Sequence, residues 1–439
     1  MPRRPLRNLR WYVAGILCAS TALNYLDRQT LSVLASTIQR ELGLSTVEYG
    51  RLGAAFLASY TVMYAVGGRL VDRLGTRRGL TVFVTGWSFV SALHGLARSA
   101  AQLTVFRFLL GVTEAANIPG GVKAVTEWFP LRERALAVGI VNAGTALGAA
   151  VAVPVVSFLA LAFGWRSAFV VTGALGLLWV ALWAAFYRLP AQHSWLGPAE
   201  RALILEDAAG AAATPQLQAE GDVGRGRGRD WTYARLLRAR ETWGCIAARA
   251  LTDPISYFLA FWIPKYLQDA RGFTLAQVGQ VLWLPYLAQA LGNVAAGAIP
   301  RALVARGVGI DRARKRTMLT VSLVMPLLCV AVTSAGSSRW GSSFAVAALA
   351  AFMFGHAAWG NVILPAEVFP PRVVGTVSGM GGAAGALLGA ATQLGIGHVV
   401  QAVGFTPVFA VCAVLYGTGF VLVAWLVPDL GRIRAAPRR

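Results

Sequence analysis

Long apolar runs alternate with short polar connections along almost the whole chain. Each run is about 20 residues long, which is the length of α-helix needed to cross about 30 Å of hydrocarbon. We number the runs span 1 to span 12, and they cover about 11–35, 48–68, 80–98, 101–122, 135–161, 166–187, 243–267, 274–299, 316–336, 341–364, 373–398 and 404–427. The pattern predicts an all-α membrane protein with twelve transmembrane helices.

The composition agrees with this prediction. Hydrophobic residues make up 56% of the 439 positions and charged residues 13%, and the mean hydropathy of +0.58 lies far outside the range of soluble domains. The four cysteines fall singly within or beside predicted helices, so they indicate packing rather than a metal site. The sequence lacks the motifs of phosphate-binding loops, metal sites and nucleophilic enzymes. We therefore expect no enzymatic activity, no metal and no bound cofactor.

The basic charge follows the topology. A net charge of +21 is compatible with nucleic-acid binding, but the cations collect in alternate connections between the spans. By the positive-inside rule that side is cytoplasmic, which predicts a multi-pass protein of the bacterial cytoplasmic (inner) membrane with both termini in the cytoplasm. We expect a monomer in the lipid bilayer and no nucleic-acid partner. The main clusters are Arg3, Arg4, Arg7 and Arg10, then Arg69, Arg73, Arg77 and Arg78, then Arg132 and Arg134, then Arg225, Arg227, Arg229, Arg235, Arg238 and Arg240, then Arg306, Arg312, Arg314, Lys315 and Arg316, and finally Arg432, Arg434, Arg438 and Arg439.

The chain divides into two related halves. The sequence "EWFPLR" at Glu127–Arg132 returns as "EVFPPR" at Glu367–Arg372, each time after an even-numbered span and before one rich in small residues. A polar, Gly-rich stretch separates six spans from six, so we predict an N-terminal six-helix bundle at 1–189, a cytoplasmic linker at 190–240 and a C-terminal six-helix bundle at 241–439. An internal duplication of this kind is typical of secondary transporters, whose sites lie at mid-membrane between the repeats.

Four ionisable residues within the spans are candidates for the functional site, because such residues are costly in hydrocarbon. Asp27 and Arg28 lie in span 1, and Arg107 and Glu114 lie in span 4. Adjacent helical residues diverge by about 100°, so Asp27 and Arg28 must face different neighbours, whereas Asn24 shares an arc with Arg28. One hypothesis is that the arginines hold a substrate carboxylate and the acids carry protons. The alternative is a buried ion-pair network that fixes how spans 1 and 4 pack.

A sugar-like substrate also needs hydroxyl, amide and aromatic partners. We expect the second half to supply them without charges, and for each candidate amide, packing between helices is an equally open explanation. The candidates are His356, Trp359 and Asn361 in span 10, Gln289 and Asn293 in span 8, and Asn142 in span 5.

The connection after span 2 carries a recognisable motif. Its sequence "GRLVDRLGTRR", Gly68 to Arg78, resembles the loop 2–3 signature of the major facilitator superfamily. The resemblance implies that family's fold, with twelve helices in two pseudo-symmetric bundles. It also implies a cytoplasmic gate that closes and opens during transport. The residues that match the gate are Gly68, Asp72, Arg73, Gly75 and Arg77.

Two segments narrow the resemblance to one branch of that superfamily. The sequences "NYLDRQTLSVL" and "RFLLGVTEAANIPG" resemble the anion:cation symporters. The stretch "LTDPISYFLAFWIPKYLQDARGFTLAQVG", Leu251 to Gly279, and "HAAWGN" at His356–Asn361 are most similar to the hexuronate transporters. The resemblance implies proton sites at Asp27 and Glu114. It places the anion at Arg28 and Arg107, and the aromatic contacts at Tyr25, Tyr60 and Trp359.

We therefore predict a proton-coupled symporter that imports an organic monoanion, a hexuronate such as glucuronate or galacturonate, with protons as the coupling ion. Three alternatives stay open. The first is a symporter for another organic anion, such as galactonate, glucarate or an aromatic acid. The second is a drug/proton antiporter, which the wide separation of Gly148 and Pro154 disfavours. The third is a non-transporting membrane sensor, which the retention of both acids disfavours.

Overall fold

The computed structural model describes residues 6–204, 233–336 and 338–430, and helices account for most of them. The first half contains Leu9–Val33 and Ala35–Leu42 (span 1), Thr46–Leu74 (span 2), Thr76–His94 (span 3), Ala100–Glu114 and Asn117–Trp128 (span 4), Leu131–Phe163 (span 5) and Trp165–Phe186 (span 6). The second half contains Tyr233–Arg238, then Arg240–Asp269 (span 7), Leu275–Val281 and Trp283–Ala305 (span 8), Ile310–Ser334 (span 9), Arg339–Ala358 and Leu364–Val368 (span 10), Pro371–Val403 (span 11) and Thr406–Leu426 (span 12).

Every predicted span is therefore helical, but the spans differ in polarity. Among the described residues, six helices are long and apolar enough on their own to cross a membrane, or seven if span 2 is counted across its bend. These helices include spans 5, 6, 9, 10, 11 and 12. Spans 1, 4, 7 and 8, each of which contains ionisable side chains, a break or both, fall below that threshold, as does span 3. A helix that lines a polar site must carry side chains that a purely lipid-facing helix excludes.

The internal repeat is visible in the turns. Span 2 begins with a capping box on Ser45, and span 8 begins with one on Thr274, so each helix start satisfies its free backbone N–H groups in the same way. Gly164 after span 5 has φ +82°, and its counterpart Gly404 after span 11 has φ +81°. Only glycine adopts this left-handed conformation without strain. Corresponding helices in the two halves thus begin after turns and caps of the same kind.

The helices pack as two bundles with matching neighbours. Span 1 packs on span 5, span 2 on span 4 and span 3 on span 6, and in the second half span 7 packs on span 11, span 8 on span 10 and span 9 on span 12. The two bundles meet through spans 2 and 11 and through spans 5 and 8. The result is the predicted pair of pseudo-symmetric six-helix bundles, with a central space between them.

The central space is closed at one end. We call this end the distal face, and the end at which spans 1 and 7 begin the terminal face. At the distal face, Lys265 of span 7 donates to Gln39 of span 1 and to Asp269 of its own helix. Ser36 Oγ donates to Asp269 Oδ1 at 2.6 Å, and Gln268 Nε2 donates to the Val33 carbonyl at 3.1 Å. These bonds join the two bundles directly.

Toward the terminal face the interface helices leave free space. A Cβ atom added at Gly139 of span 5, Gly297 of span 8 or Gly379 of span 11 would meet no atom within 4 Å. Near the distal face, by contrast, a Cβ at Gly50 of span 2 would lie 2.6 Å from the carbonyl oxygen of Gln393 in span 11. Direct bonds and close contacts between the bundles are thus found at the distal face, whereas these three glycines have free space beside them toward the terminal face.

The start of the predicted linker lies against the first bundle. The Glu200 carboxylate accepts bonds from the backbone N–H of Leu9 and from the Arg10 guanidinium, and Arg10 also binds Glu133 of span 5. Residues 205–232 of the predicted 190–240 linker fall outside the described part of the chain.

Candidate substrate and proton site

Arg28 and Glu114 form a partly buried ion pair between spans 1 and 4. Arg28 Nε donates to Glu114 Oε2 at 2.6 Å, and the Glu114 side chain is fully buried. The second carboxylate oxygen, Oε1, has no hydrogen-bond partner among the described residues. Only one of the two oxygens is therefore satisfied, and the pair retains capacity for a further ligand or a proton.

Aromatic rings surround the Arg28 guanidinium. Its central carbon lies 4.8 Å from the ring centre of Tyr25, 5.2 Å from that of Phe56 and 4.5 Å from that of Tyr60. The Phe56 and Tyr60 rings stack at 5.6 Å. Rings at this range attract a cation through their electron-rich faces. The aromatic cage holds the guanidinium in place without neutralising its charge, so the cation stays available to an anion.

Asp27 faces the opposite side of span 1. Its Oδ1 accepts a bond from Ser91 Oγ of span 3 at 2.7 Å, and Ser91 lies 3.2 Å from the Thr172 hydroxyl of span 6. Oδ2 has no partner in the described part of the chain, although Asp27 is buried. The predicted divergence of Asp27 and Arg28 is observed, and Asp27 lies inside the first bundle with no ion-pair partner in the described ranges.

Arg107 is buried at the bundle interface and has no ion pair with any residue that the structure describes. Its Nε and Nη2 atoms have no hydrogen-bond partner within the described ranges, and its side chain borders a small cavity toward the distal face. An unpaired buried guanidinium is costly unless a ligand completes it. The cavity is lined by Leu31, Tyr49, Gly53, Phe56 and Arg107 of the first bundle and by Phe261 and Gln393 of the second.

A second cavity lies among spans 7, 8 and 10 of the second bundle. His356 contacts the Ser256 hydroxyl through Nε2 at 2.6 Å and the Tyr416 hydroxyl through Nδ1 at 2.7 Å. The side chains of Gln289 and Asn293, one turn apart on span 8, have no hydrogen bond to any described residue. Two free amides beside a fixed histidine are a suitable lining for hydroxyl groups. The polar lining consists of Asp253, Ser256, Gln289, Asn293, His356 and Asn361.

Three predicted site residues, Trp359, Asn24 and Asn142, do not line either cavity. Trp359 is buried within the second bundle, where its Nε1 donates to Ser322 Oγ of span 9 at 3.0 Å and its ring packs against Gly419 of span 12. The structure therefore does not bring Trp359 to either cavity. Asn24 is buried with its amide nitrogen unpaired among the described residues, and Asn142 is exposed on span 5.

The structure adds a charged pair to the uncharged candidates predicted in the second half. Arg249 and Asp253 of span 7 form an ion pair whose Nη2 and Oδ2 atoms lie 2.8 Å apart, and Asp253 borders the second cavity. Asn361 Nδ2 donates to the other carboxylate oxygen of Asp253 at 2.8 Å. The sequence does contain the signal, because an arginine and an aspartate four positions apart on a helix can reach each other.

The predicted gate residues contact only their own bundle in the described structure. Lys123 Nζ of span 4 donates to Asp72 Oδ1 at 2.8 Å, and Arg77 donates to the Ala184 carbonyl of span 6. Gly75 has φ +76°, which explains the glycine at this turn, and Arg73 is exposed. A Cβ at Gly68 would lie 3.7 Å from Pro119 of span 4. These residues border the open terminal face.

Comparison with known proteins identifies the family. A family profile described as the Major Facilitator Superfamily matches residues 17–392. The chain belongs to this superfamily. A hexuronate transporter of Escherichia coli K12 is 34% identical over 430 residues, covering 97% of this chain and 95% of the relative. A galacturonate transporter of Dickeya chrysanthemi is 37% identical over 295 residues, covering 67% of this chain and 82% of the relative.

A solved structure agrees with the fold of this superfamily member. The inward-open xylose transporter XylE from E. coli superposes with a TM-score of 0.72 at 16% identity, covering 97% of this chain and 99% of that one. The predicted fold is therefore confirmed, and the protein is a multi-pass membrane transporter.

Proposed function

We propose that this transporter is a symporter that imports an organic monoanion together with protons, and that the anion is a hexuronate such as glucuronate or galacturonate. The observation that carries the proposal is a pair of arginines, buried Arg107 and partly buried Arg28, in the same bundle as two incompletely satisfied carboxylates. The hexuronate and galacturonate transporters to which the chain is similar support the choice of cargo.

The substrate carboxylate binds to the arginines of the first bundle. Arg107 has two unpartnered donors, and Arg28 is held by rings rather than by a second acid. A guanidinium presents paired N–H groups that match the two oxygens of a carboxylate. A hexuronate carries one carboxylate, so a single anion is enough to occupy these donors.

The protons are carried by Glu114 and Asp27. A substrate carboxylate that binds Arg28 weakens the hydrogen bond from Arg28 to Glu114. Removing a cation from beside a buried carboxylate favours its neutral, protonated form. Substrate binding and proton uptake at Glu114 thereby favour each other, which is the requirement for symport. Asp27, bonded to Ser91 on the far side of span 1, provides a second proton position.

The sugar hydroxyls bind to the second bundle. Gln289, Asn293 and Asn361 line its cavity together with the histidine–serine pair of His356 and Ser256. Amides both donate and accept hydrogen bonds, which suits hydroxyl groups of varied orientation. Tyr25 and Tyr60 offer apolar ring faces to the sugar.

The membrane orientation follows the cation distribution. We place the terminal face in the cytoplasm of a bacterium and the distal face outside the inner membrane. The described conformation then corresponds to release into the cell. Asp72, Arg73 and Arg77, with the glycines Gly68 and Gly75, would close the cytoplasmic side in the opposite state. We propose that a monomer of two bundles, 1–189 and 241–439, suffices for transport.

Uptake into proteoliposomes tests the proposal. Purified protein is reconstituted, and labelled galacturonate or glucuronate is added outside while the lumen is made alkaline. We expect accumulation above the external concentration, and its collapse when a protonophore removes the gradient. Failure of a pH gradient to drive either sugar acid inward contradicts hexuronate symport. Accumulation of galactonate or an aromatic acid instead would keep the symport mechanism and change the cargo.

A further inference from the structure

Arg249 and Asp253 of span 7 form an ion pair that is also hydrogen-bonded to spans 10 and 11. Arg249 reaches Asp253 Oδ2 through Nε at 2.9 Å and through Nη2 at 2.8 Å, and it donates from Nη1 to the Ser378 carbonyl of span 11 at 3.1 Å. Asn361 of span 10 donates to Asp253 Oδ1 at 2.8 Å. The two charges therefore neutralise each other within one helix and are fixed by two neighbouring helices.

Glycines of span 11 make room for this pair. A Cβ at Gly382 would lie 2.8 Å from Arg249 Nη1, and a Cβ at Gly385 would lie 2.3 Å from Asp253 Oδ2. Any larger side chain would displace the ion pair. The Gly-rich segment "SGMGGAAG" of span 11 thus accommodates the pair in one position.

The pair faces the same central space as the substrate arginines. The Phe56 ring of span 2, centred 5.2 Å from the Arg28 guanidinium carbon, contacts the Phe261 ring of span 7 edge-on at 6.0 Å. Phe261 stacks in turn with Tyr257, which lies one helical turn after Asp253. A row of aromatic rings therefore leads from the Arg28–Glu114 pair of the first bundle to the turn of span 7 that follows Asp253. A substrate whose carboxylate lies at Arg28 extends its other end toward span 7.

We propose that the Arg249–Asp253 pair makes the transporter select sugar acids with one carboxylate over those with two. The proposal rests on the function proposed above. At the far end of the substrate, Asp253 offers an acceptor for a hydroxyl group and repels a second carboxylate. Arg249, the cation able to bind that second carboxylate, is already occupied by Asp253. Selectivity thus comes from a repulsive element as well as from an attractive one.

Galacturonate and galactarate provide a matched pair of probes. They share the configuration at C2 to C5 and differ at C1, which closes the sugar ring in galacturonate and is a second carboxylate in open-chain galactarate. The ring difference is the same for the parent and for each variant, so the change in the ratio reports on the protein. The measured quantity is the concentration of unlabelled galactarate that halves uptake of labelled galacturonate, divided by the corresponding concentration of unlabelled galacturonate. This ratio is insensitive to the amount of active protein in each preparation.

Asp253→Asn is the first variant, because it removes the negative charge and frees Arg249 while keeping the side-chain shape. We expect the ratio to fall by about tenfold or more, the size of effect expected when Arg249 becomes free to bind the second carboxylate. In Arg249→Gln/Asp253→Asn the freed cation is absent, and the ratio should rise back toward the parent value. Asp311→Asn removes the acid of an i,i+4 pair with Lys315 at the start of span 9, and should leave the ratio unchanged.

The outcomes separate this inference from the function itself. If the parent protein transports none of the sugar acids, the proposed function fails first. If the parent transports galacturonate and Asp253→Asn keeps the parent ratio, the selectivity role is wrong. If Asp253→Asn does not yield folded protein, Arg249→Gln tests the selectivity role instead. It leaves the aspartate charge uncompensated, so the ratio should rise by about tenfold, and an unchanged ratio overturns the proposal.

Discussion

The two bundles repeat one architecture but hold their buried charges differently. In the first bundle, Arg28 and Glu114 come from different helices and share a single bond, while donors of Arg107 have no partner among the described residues. In the second bundle, Arg249 and Asp253 lie four positions apart on one helix, and both carboxylate oxygens are bonded. Charged atoms of the first bundle thus lack hydrogen-bond partners among the described residues, whereas both carboxylate oxygens of Asp253 have them.

This difference separates two tasks. Unsatisfied charged groups in a low-dielectric interior are destabilising, so they persist where a ligand or a proton completes them. A neutralised and fully bonded pair has no such need, and it can shape a pocket without changing its charge. We therefore assign coupling to the first bundle and recognition of the uncharged part of the substrate to the second.

The largest effect is expected from Glu114→Gln. The amide resembles a permanently protonated acid, so the variant should lose gradient-driven accumulation of galacturonate almost completely while still exchanging substrate across the membrane. Uptake and counterflow in proteoliposomes measure the two activities separately. The control is Glu41→Gln, which breaks an exposed ion pair with Arg166 and should change little. Normal concentrative uptake by Glu114→Gln would remove this residue from the mechanism.

Arg107→Gln should weaken substrate binding strongly. The loss of charge-assisted bonds to the substrate carboxylate costs about 1.5–3 kcal/mol, equivalent to about 10- to 100-fold in apparent affinity. Concentration dependence of uptake gives the value, with Arg166→Gln as the exposed control. Since Arg107 has no internal ion pair, stability should not fall. An unchanged affinity would mean that the cavity beside Arg107 does not hold the anion.

A smaller effect is expected from Arg28→Lys. The ammonium group keeps the charge and can still reach Glu114, but it cannot reproduce the planar fork of the guanidinium. We expect the apparent affinity for galacturonate to fall about five- to tenfold, with coupling retained. Equal affinity in the variant and the parent would favour a purely structural ion pair between spans 1 and 4.

Gly148→Ala tests the close packing of span 5 against span 1, the helix that carries Asp27 and Arg28. A Cβ at Gly148 would lie 2.2 Å from the Ala22 carbonyl, so span 1 must shift away from span 5. Overpacking of this kind costs about 1–3 kcal/mol, and the midpoint of thermal unfolding should fall by several degrees. Gly139→Ala, on the same helix but in open space, is the control. Equal midpoints in both variants would contradict the close contact.

The sequence was sufficient for the fold and for part of the site. Span positions and the divergence of Asp27 from Arg28 follow from helix geometry, which is local. The pairing of Arg28 with Glu114 depends on how two helices pack, and the burial of Trp359 against Ser322 depends on which face of span 10 turns inward. Neither can be deduced from spacing alone.

The Arg249–Asp253 pair cannot be found from hydropathy for a different reason. Both charges lower the mean hydropathy of span 7, but hydropathy does not show that they bond to each other, nor that spans 10 and 11 pack around them. The break in span 10 also escaped prediction, because it depends on Gly360, whose φ of +74° turns the chain between two helices. That turn places Asn361 beside Asp253, so the second cavity could not be assembled from the sequence.

Proton uptake on substrate binding tests most directly whether the first bundle carries proton coupling and the second bundle does not. Purified transporter in a weakly buffered solution is mixed with galacturonate, and a pH indicator reports the protons taken up per substrate bound. We expect the parent protein and Asp253→Asn to take up protons equally, and Glu114→Gln to take up measurably fewer while still binding the substrate. Equal proton uptake by Glu114→Gln and the parent, or a loss confined to Asp253→Asn, would contradict the assignment of coupling to the first bundle.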